Sequence, residues 1–389
     1  MEHWRAEKAQ RAQRKLAKRN RQPDRVRDKS WKQFDPQDQD VWEEVEIGGS
    51  ERIMARDEKE RRFAISSGAL ASRHATQGIA ATSHADGEHG VVTEVASGIC
   101  RVDLAGRTLL CTLHSALGAA ETGFTNVVAV GDDVRVANDD GQWGIITAVL
   151  PRHSALVRAD WHDDYHNSNL RHVIVANADQ LLIVAAWRDP VIWLELIDRY
   201  LITAQRNNLM PIICVNKVDL AAQRADCHAA VRPYIELGHR ILWTSAISGE
   251  GVDELREMLR GRTTVLAGVS GVGKSSLLAL IQPGLHLRTA EVSAFDRQGR
   301  HTTTQVSMYR LDIGGYVVDT PGIREFGLAG LTRRELVSFF PEIIAVQGCR
   351  FADCAHLREP GCAVRAAVRQ WTVPLSRYES YRKIYESLS

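Results

Sequence analysis

One segment of the chain reads Gly268-Val269-Ser270-Gly271-Val272-Gly273-Lys274-Ser275-Ser276. It fits the phosphate-binding loop pattern G-x-x-x-x-G-K-[ST] without a mismatch. An apolar run over residues 263–267 comes before it and predicts a strand, and an apolar run over residues 277–281 follows and predicts a helix. Such a strand, glycine-rich loop and helix N-terminus present backbone N–H groups to a phosphate. Lys274 would supply a charge for the β- and γ-phosphates, and Ser275 a hydroxyl for Mg²⁺.

A second motif predicts which base is bound. After the apolar run 211–215 the chain reads Asn216-Lys217-Val218-Asp219, which fits N-K-x-D. In GTP-binding proteins a carboxylate at the position of Asp219 accepts hydrogen bonds from two neighbouring donors on the guanine edge. Adenine has no such donor pair, and an ionised carboxylate can only accept. We expect Asn216 to brace the neighbouring loops and the stem of Lys217 to lie over the base plane.

Two shorter motifs follow other predicted strands. Ser245 and Ala246 come after the apolar run 241–243 and resemble the S-A element whose backbone N–H contacts guanine O6. Asp319-Thr-Pro-Gly322 fits D-x-x-G, so Asp319 would reach Mg²⁺ through water and the Gly322 N–H would contact the γ-phosphate. All four motifs end predicted strands, and doubly wound α/β sheets bind ligands at that edge. Together they predict a guanine-nucleotide site.

The order of these motifs is unusual. GTPases ordinarily run phosphate loop, D-x-x-G, N-K-x-D, S-A, whereas here N-K-x-D and S-A precede the phosphate loop. Domain termini often lie close together, so one sheet can be opened at one loop and rejoined at another. The sequence therefore predicts a circularly permuted α/β P-loop GTPase domain.

This order, with Gly299-Arg-His-Thr-Thr-Thr304 between the phosphate loop and D-x-x-G, resembles the ribosome small-subunit-dependent GTPases of the RsgA/YjeQ group. The resemblance covers residues 88–389. It implies a GTP-hydrolysing factor in late maturation of the small (30S) ribosomal subunit, with hydrolysis stimulated by the subunit and coupled to release. The implied partners are that subunit, its rRNA and GTP or GDP. The resemblance suits a cytoplasmic monomer that does not enter a membrane.

Two other readings stay open at this point. One is an rRNA-binding module that is indifferent to the bound nucleotide. The other is a metabolic P-loop kinase or ATPase, against which the N-K-x-D motif speaks.

The segment between the phosphate loop and D-x-x-G is the expected switch I. Thr303 is the preferred candidate to bind Mg²⁺ there, and His301 could position water; a plain surface histidine is the alternative. Ile323 follows D-x-x-G, where many GTPases carry a glutamine that orients water. An aliphatic side chain cannot do this, so slow intrinsic hydrolysis is expected.

A cluster near the C-terminus has the chemistry of a metal site. Within fourteen residues the chain carries Cys349, Cys354, His356 and Cys362. Three thiols and one imidazole form a closed tetrahedral zinc site, with no open position for water, so the metal would be structural. The spacing also matches the zinc region of the resembled family.

The composition and the pattern of apolar and turn residues along the chain predict four parts. They are a basic arm and linker at 1–87, an OB-fold-like all-β barrel at 88–153, the GTPase domain at 154–328 and an α-rich zinc domain at 329–389. Residues 1–32 hold twelve Lys/Arg against four Asp/Glu, which predicts a disordered arm that contacts rRNA or is simply solvated. The barrel could bind RNA or serve only as a structural module. Seven cysteines without a signal peptide indicate a reducing, cytoplasmic setting.

Overall fold

The computed structural model describes residues 87–96, 98–114, 117, 126–138, 143–159, 171–285, 306–319, 328 and 330–388. Apart from Gly87, the arm and linker predicted for residues 1–87 lie outside these ranges. Within them, no helix combines the length and the apolar character needed to cross a membrane.

Five strands close into a small barrel. They are β1 (Glu88–Ala96), β2 (Ile99–Leu104), β3 (Arg107–Leu113), β4 (Asp133–Asn138) and β5 (Trp143–Val149). The order around the barrel is β1-β2-β3-β5-β4, and β4 pairs back to β1. Only β3 and β5 run parallel among these neighbours. Alternate side chains such as Val92, Val102 and Ile146 point inward and form a buried core. A closed five-stranded barrel, as the sequence predicts, is present.

A separate hairpin follows the barrel. Strands β6 (Ala155–Ala159) and β7 (Arg171–Ala176) form a two-stranded antiparallel sheet of their own. The side chain of Asn126 holds β7, since it donates to the Val173 carbonyl and accepts from the Val173 N–H, both at 3.0 Å. The first residues of the predicted GTPase domain are therefore tied to the segment between barrel strands β3 and β4, and do not belong to the main sheet.

The main sheet has six strands. They are β8 (Gln180–Ala186), β9 (Met210–Asn216), β10 (Arg240–Trp243), β11 (Arg262–Ala267), β12 (Ser307–Arg310) and β13 (Gly315–Asp319), in the spatial order β10-β9-β8-β11-β13-β12. All neighbours are parallel except β12 and β13. Along β8, Ile183 joins one buried cluster while Leu182 and Val184 join another, so both faces of the sheet are covered.

Helices complete this domain and the C-terminal part. Those beside the sheet are α1 (Leu194–Arg206), α2 (Arg224–Glu236), α3 (Val252–Leu259) and α4 (Lys274–Ile281). The C-terminal ones are α5 (Arg333–Leu336), α6 (Pro341–Ile344), α7 (Ala363–Arg369) and α8 (Leu375–Ser387), which surround a core of their own.

One buried charge cluster fastens the C-terminal helices to the sheet domain. Arg377 of α8 pairs with Asp198 of α1, and its Nε lies 2.7 Å from Glu342 Oε1 of α6. Its guanidinium also stacks over Phe340, at 4.5 Å from the ring centre. The arginine and Asp198 side chains are 3% and 0% exposed, so this contact is sealed from water.

Candidate nucleotide site and metal centre

The glycine-rich segment lies between β11 and α4, as its motif requires. β11 ends at Ala267, and α4 begins at Lys274 with Gly273 as its N-cap. A Cβ on Gly268 would lie 2.3 Å from the Val184 carbonyl oxygen, and one on Gly273 would lie 2.3 Å from Asn216 Nδ2. Both positions also have positive φ. Glycine is therefore required at each of them for two reasons, the lack of room for a Cβ and the backbone conformation.

Lys274 and Ser275 occupy the first turn of α4, and both are partly buried. Lys274 Nζ donates to the carbonyl oxygens of Gly268 at 2.9 Å and of Val269 at 3.2 Å. The ammonium therefore lies over the concave side of the loop whose N–H groups would hold a phosphate. Ser270, Gly271 and Ser276 are exposed around it, whereas Val272 is buried beneath.

Asn216 joins the phosphate loop to the two loops expected to hold the base. It is the last residue of β9 and is fully buried. Its Nδ2 donates to the Val272 carbonyl at 2.8 Å, and its Oδ1 accepts from the Thr244 hydroxyl at 3.2 Å. One side chain therefore links segments 56 residues apart in the sequence. Because all these groups are buried, loss of either hydrogen bond would leave polar atoms without water.

The remainder of the N-K-x-D motif turns sharply away from the strand. Lys217 has a left-handed backbone, with φ of 61°, and its Nζ donates to the Asp189 carbonyl. Val218 is buried and starts a 3₁₀ turn over Val218–Leu220, while Asp219 is exposed. The buried side chain of Val218 thus holds the turn in place, and the carboxylate of Asp219 stays accessible to a ligand.

Ser245 and Ala246 follow β10 by two and three residues. The Ser245 hydroxyl is fully buried and accepts from the N–H groups of Ile247 at 3.2 Å and Ser248 at 3.1 Å. Ala246 is partly buried beside it. Ser245 therefore stabilises the conformation of its own loop by accepting backbone hydrogen bonds. This fits a loop that presents backbone groups, rather than side chains, to a ligand.

Asp319 is the last residue of β13 and pairs with Leu266 of β11. It therefore lies next to the start of the phosphate loop on the neighbouring strand. Gly322, His301 and Thr303 lie outside the described residues. Among the predicted nucleotide residues that are described, every group lies at the carboxyl end of a parallel strand, β9, β10, β11 or β13, or in the loop or first helical turn that follows.

The four predicted metal ligands come together. Ligand atoms of Cys349, Cys354, His356 and Cys362 all lie within 4.8 Å of one another. His356 Nδ1 is 3.6 Å from the sulfurs of both Cys349 and Cys362. With Zn–S near 2.3 Å and Zn–N near 2.0 Å, a tetrahedron separates such atoms by about 3.5 Å. The residues present therefore fit zinc in both chemistry and spacing.

Burial also prepares the imidazole for a metal. It lowers the pKa of His356 below its usual value, which favours the neutral ring that a metal takes.

A supporting shell around this cluster was not expected from the sequence. Glu359 accepts from the backbone N–H groups of Ala355, Leu357 and Arg358 at 3.0, 2.8 and 3.0 Å. Although burial opposes it, these donors hold the pKa of the Glu359 carboxyl below its ordinary value. Tyr378 of α8 donates to the His356 carbonyl at 2.8 Å. The left-handed φ of His356, 62°, is thus held by contacts on both sides.

Motif order, strand order and loop contacts define a circularly permuted P-loop GTPase fold. The family model described as RsgA GTPase matches residues 149–329. A protein named "Small ribosomal subunit biogenesis GTPase RsgA" from Chlorobaculum tepidum is 41% identical over 306 residues, covering 77% of this chain and 98% of the relative. One of the same name from Moorella thermoacetica is 41% identical over 285 residues, covering 73% and 91%. The chain belongs to the RsgA GTPase family.

Solved structures agree with this assignment. YjeQ from Thermotoga maritima is 34% identical, covers 77% of this chain and 98% of its own, and superposes with a TM-score of 0.56. YloQ, described as a circularly permuted GTPase, is 26% identical, covers 79% and 96%, and gives a TM-score of 0.57. The expected family and the permuted fold are thereby confirmed.

Proposed function

We propose that this protein hydrolyses GTP and acts in the biogenesis of the small ribosomal subunit. The observation that carries the proposal is the Asn216 side chain, which joins the phosphate loop to the base loops at one sheet edge. The names of the relatives point to the same activity and the same particle. In the finer version of the proposal, the subunit stimulates hydrolysis late in maturation, and hydrolysis releases the protein from the matured particle.

The described residues suit distinct roles in that reaction. Asp219 reads the guanine edge, while Ser245 and Ala246 present a backbone N–H to its carbonyl. Lys274 and the N–H groups of residues 268–276 oppose the charge that develops on the transferred phosphoryl group as water attacks in line. Ser275 and Asp319 would hold Mg²⁺, directly and through water, and the ion would supply further charge compensation.

The remaining roles fall on residues outside the described ranges. Thr303 is proposed to bind Mg²⁺, Gly322 to donate to the γ-phosphate, and His301 to position water. Ile323 takes the place where many GTPases carry glutamine. We therefore propose that the protein alone hydrolyses GTP slowly, and that the small subunit speeds hydrolysis by ordering the site.

The cluster of Cys349, Cys354, His356 and Cys362 is proposed to hold one structural zinc ion. All four ligands come from the protein, so no position is left for a reacting water. Proposed domain boundaries are 88–153 for the barrel, 154–328 for the GTPase and 329–389 for the zinc domain, with residues 1–87 as a basic arm. The proposed partners are the small subunit and its rRNA, bound by a monomer in the cytoplasm.

GTP turnover of the purified chain, alone and with small or large ribosomal subunits, tests the function. Stimulation by small subunits only is the expected result. Lys274→Ala serves as the control for turnover by contaminating enzymes, and we expect it to abolish the signal while the protein melts normally. Turnover that neither subunit changes would contradict the proposed partner, and undiminished turnover by Lys274→Ala would contradict the proposed site.

A further inference from the structure

The barrel and the GTPase sheet meet at one buried carboxylate. Asp103 of β2 is 5% exposed, and its Oδ2 accepts two hydrogen bonds from the sheet domain. The Tyr316 hydroxyl of β13 donates at 2.6 Å, and Arg310 Nη1 of β12 donates at 3.1 Å. These three residues, called here the Asp103 joint, connect parts of the chain more than 200 residues apart.

The carboxylate is fixed from the barrel side. Its other oxygen, Oδ1, accepts from the Gly106 N–H at 2.7 Å. This contact lies in the tight turn between β2 and β3, where Ala105 and Gly106 both have positive φ, 54° and 105°. Asp103 therefore moves with the barrel hairpin. Burial, followed by the Asp103 carboxylate, raises the pKa of Tyr316 above its ordinary value, so the phenol remains a donor.

The sheet side of the joint is the closed end of a hairpin that reaches the nucleotide site. Arg310 and Tyr316 lie directly opposite each other on β12 and β13. At the open end of the same hairpin, Ser307 lies opposite Asp319. Asp319 is three positions after Tyr316, which is about 10 Å along a strand. β13 therefore provides a short covalent path from the closed end of the hairpin to the residue proposed to hold Mg²⁺.

The hairpin lies beside the barrel, with β12 at the edge of the sheet and β13 paired with β11. β12 is the edge strand of the sheet and pairs only with β13. On the barrel side, Val91 and Val95 of β1 pack against the cluster that contains Met308 of β12. Next to the joint lies a cavity of about 250 Å³, lined among others by His89 and Gly315. This cleft opens to solvent and is also lined by the three residues of the joint, so the barrel and the hairpin are connected there through specific contacts rather than continuous packing.

We propose that Asp103 is a positioning residue, through which contact between the barrel and the small subunit adjusts Asp319 and accelerates hydrolysis. The inference rests on the proposed function and adds to it the route from partner to nucleotide. The route uses the two hydrogen bonds of Asp103, since they join the barrel turn to β12 and β13.

The test compares full-length wild type with Tyr316→Phe and Asp103→Asn. Tyr309→Phe is the matched control, because Tyr309 is on the same hairpin but packs in the cluster on the other face of the sheet. GTP turnover is measured at saturating nucleotide while small subunits are titrated. The maximal stimulated rate reports positioning, the half-saturating subunit concentration reports binding, and a thermal melt reports folding.

We expect Tyr316→Phe to keep the basal rate and the half-saturating concentration and to remain folded, with a melting temperature lower by a few degrees at most. The maximal stimulated rate should fall by about tenfold, the effect of one hydrogen bond to a charged acceptor. Asp103→Asn should act in the same direction. Tyr309→Phe removes a hydroxyl from the other face of the hairpin, away from Asp103, and should keep the maximal stimulated rate. Full stimulation of both joint variants would overturn the inference and leave the proposed function intact. The same holds if only the half-saturating concentration changes, because the joint would then merely shape the binding surface. Wild type that no subunit stimulates would overturn both.

Discussion

Replacing Gly273 by alanine should break the contact through which Asn216 joins the phosphate loop to the base loop. Gly273 has φ of 98° and ψ of 21°, and a left-handed conformation costs an L-residue about 1–2 kcal/mol. The new Cβ would lie 2.3 Å from Asn216 Nδ2. Asn216 is fully buried, so it must give up its 2.8 Å hydrogen bond to the Val272 carbonyl, at a further cost of about 1–3 kcal/mol.

Together these costs come to about 2–5 kcal/mol. The unliganded phosphate loop can relieve this strain by moving, and GTP must restore the strained conformation, so GTP binding should weaken by about thirtyfold to several thousandfold. Calorimetric titration with Mg²⁺ and GTP measures this. Gly238→Ala is the matched control, because Gly238 also has positive φ, 82°, but a Cβ there has nothing within 4 Å. It should cost stability through strain alone and leave GTP affinity unchanged.

A double-mutant cycle tests the steric reasoning itself. In an Asn216→Ala background the atom that the new Cβ strikes is gone. The Gly273→Ala substitution should then cost only its backbone strain, about 1–2 kcal/mol. Strict additivity of the two substitutions would refute the clash, and wild-type affinity in Gly273→Ala would refute the whole account.

Three further predictions concern the base, the metal and the C-terminal contact. Asp219→Asn should weaken GTP binding by about tenfold or more and admit xanthosine triphosphate, because an amide can donate where the carboxylate only accepts; competition binding that keeps the guanine preference would contradict the role of Asp219. Cys354→Ser should lower zinc, measured by mass spectrometry, from near one ion per chain, and full zinc with unchanged stability would remove the metal site. Arg377→Leu should lower the free energy of unfolding by about 3–5 kcal/mol, because Asp198 and Glu342 would stay buried without their cation. Arg382→Leu, on the exposed side of α8, should change the free energy of unfolding by under about 0.5 kcal/mol. Equal losses of stability in the two variants, measured by urea denaturation, would contradict the stabilising role of the buried charge cluster.

Much of the nucleotide site could be predicted because each motif is local. The phosphate loop needs glycines, a lysine and a hydroxyl at consecutive positions, and these requirements are written in nine adjacent residues. The motif order alone predicted the permuted fold, because parallel strands bring their carboxyl ends to one edge whatever their order in the chain. The zinc ligands were equally accessible, since all four lie within fourteen residues.

Contacts between distant segments could not be predicted in this way. The sequence marks Asn216 as part of a motif, but only the folded sheet places its amide against Val272. Nothing near Asp103 distinguishes it from other strand carboxylates until the barrel closes beside Arg310 and Tyr316. Likewise, the sequence gives Glu359 no role, because its partners are backbone N–H groups that carry no residue identity.

The ligand-binding groups belong to local motifs, whereas the contacts between the parts of the fold join distant segments. The sequence alone predicts which groups would bind phosphate, base and metal, because short spacing fixes which side chains can meet. How the barrel, the main sheet and the C-terminal helices are joined is visible only in the folded chain. The joining carboxylates, Asp103 and Asp198, each pair with an arginine from another part of the chain, and their burial depends on surfaces that exist only after packing.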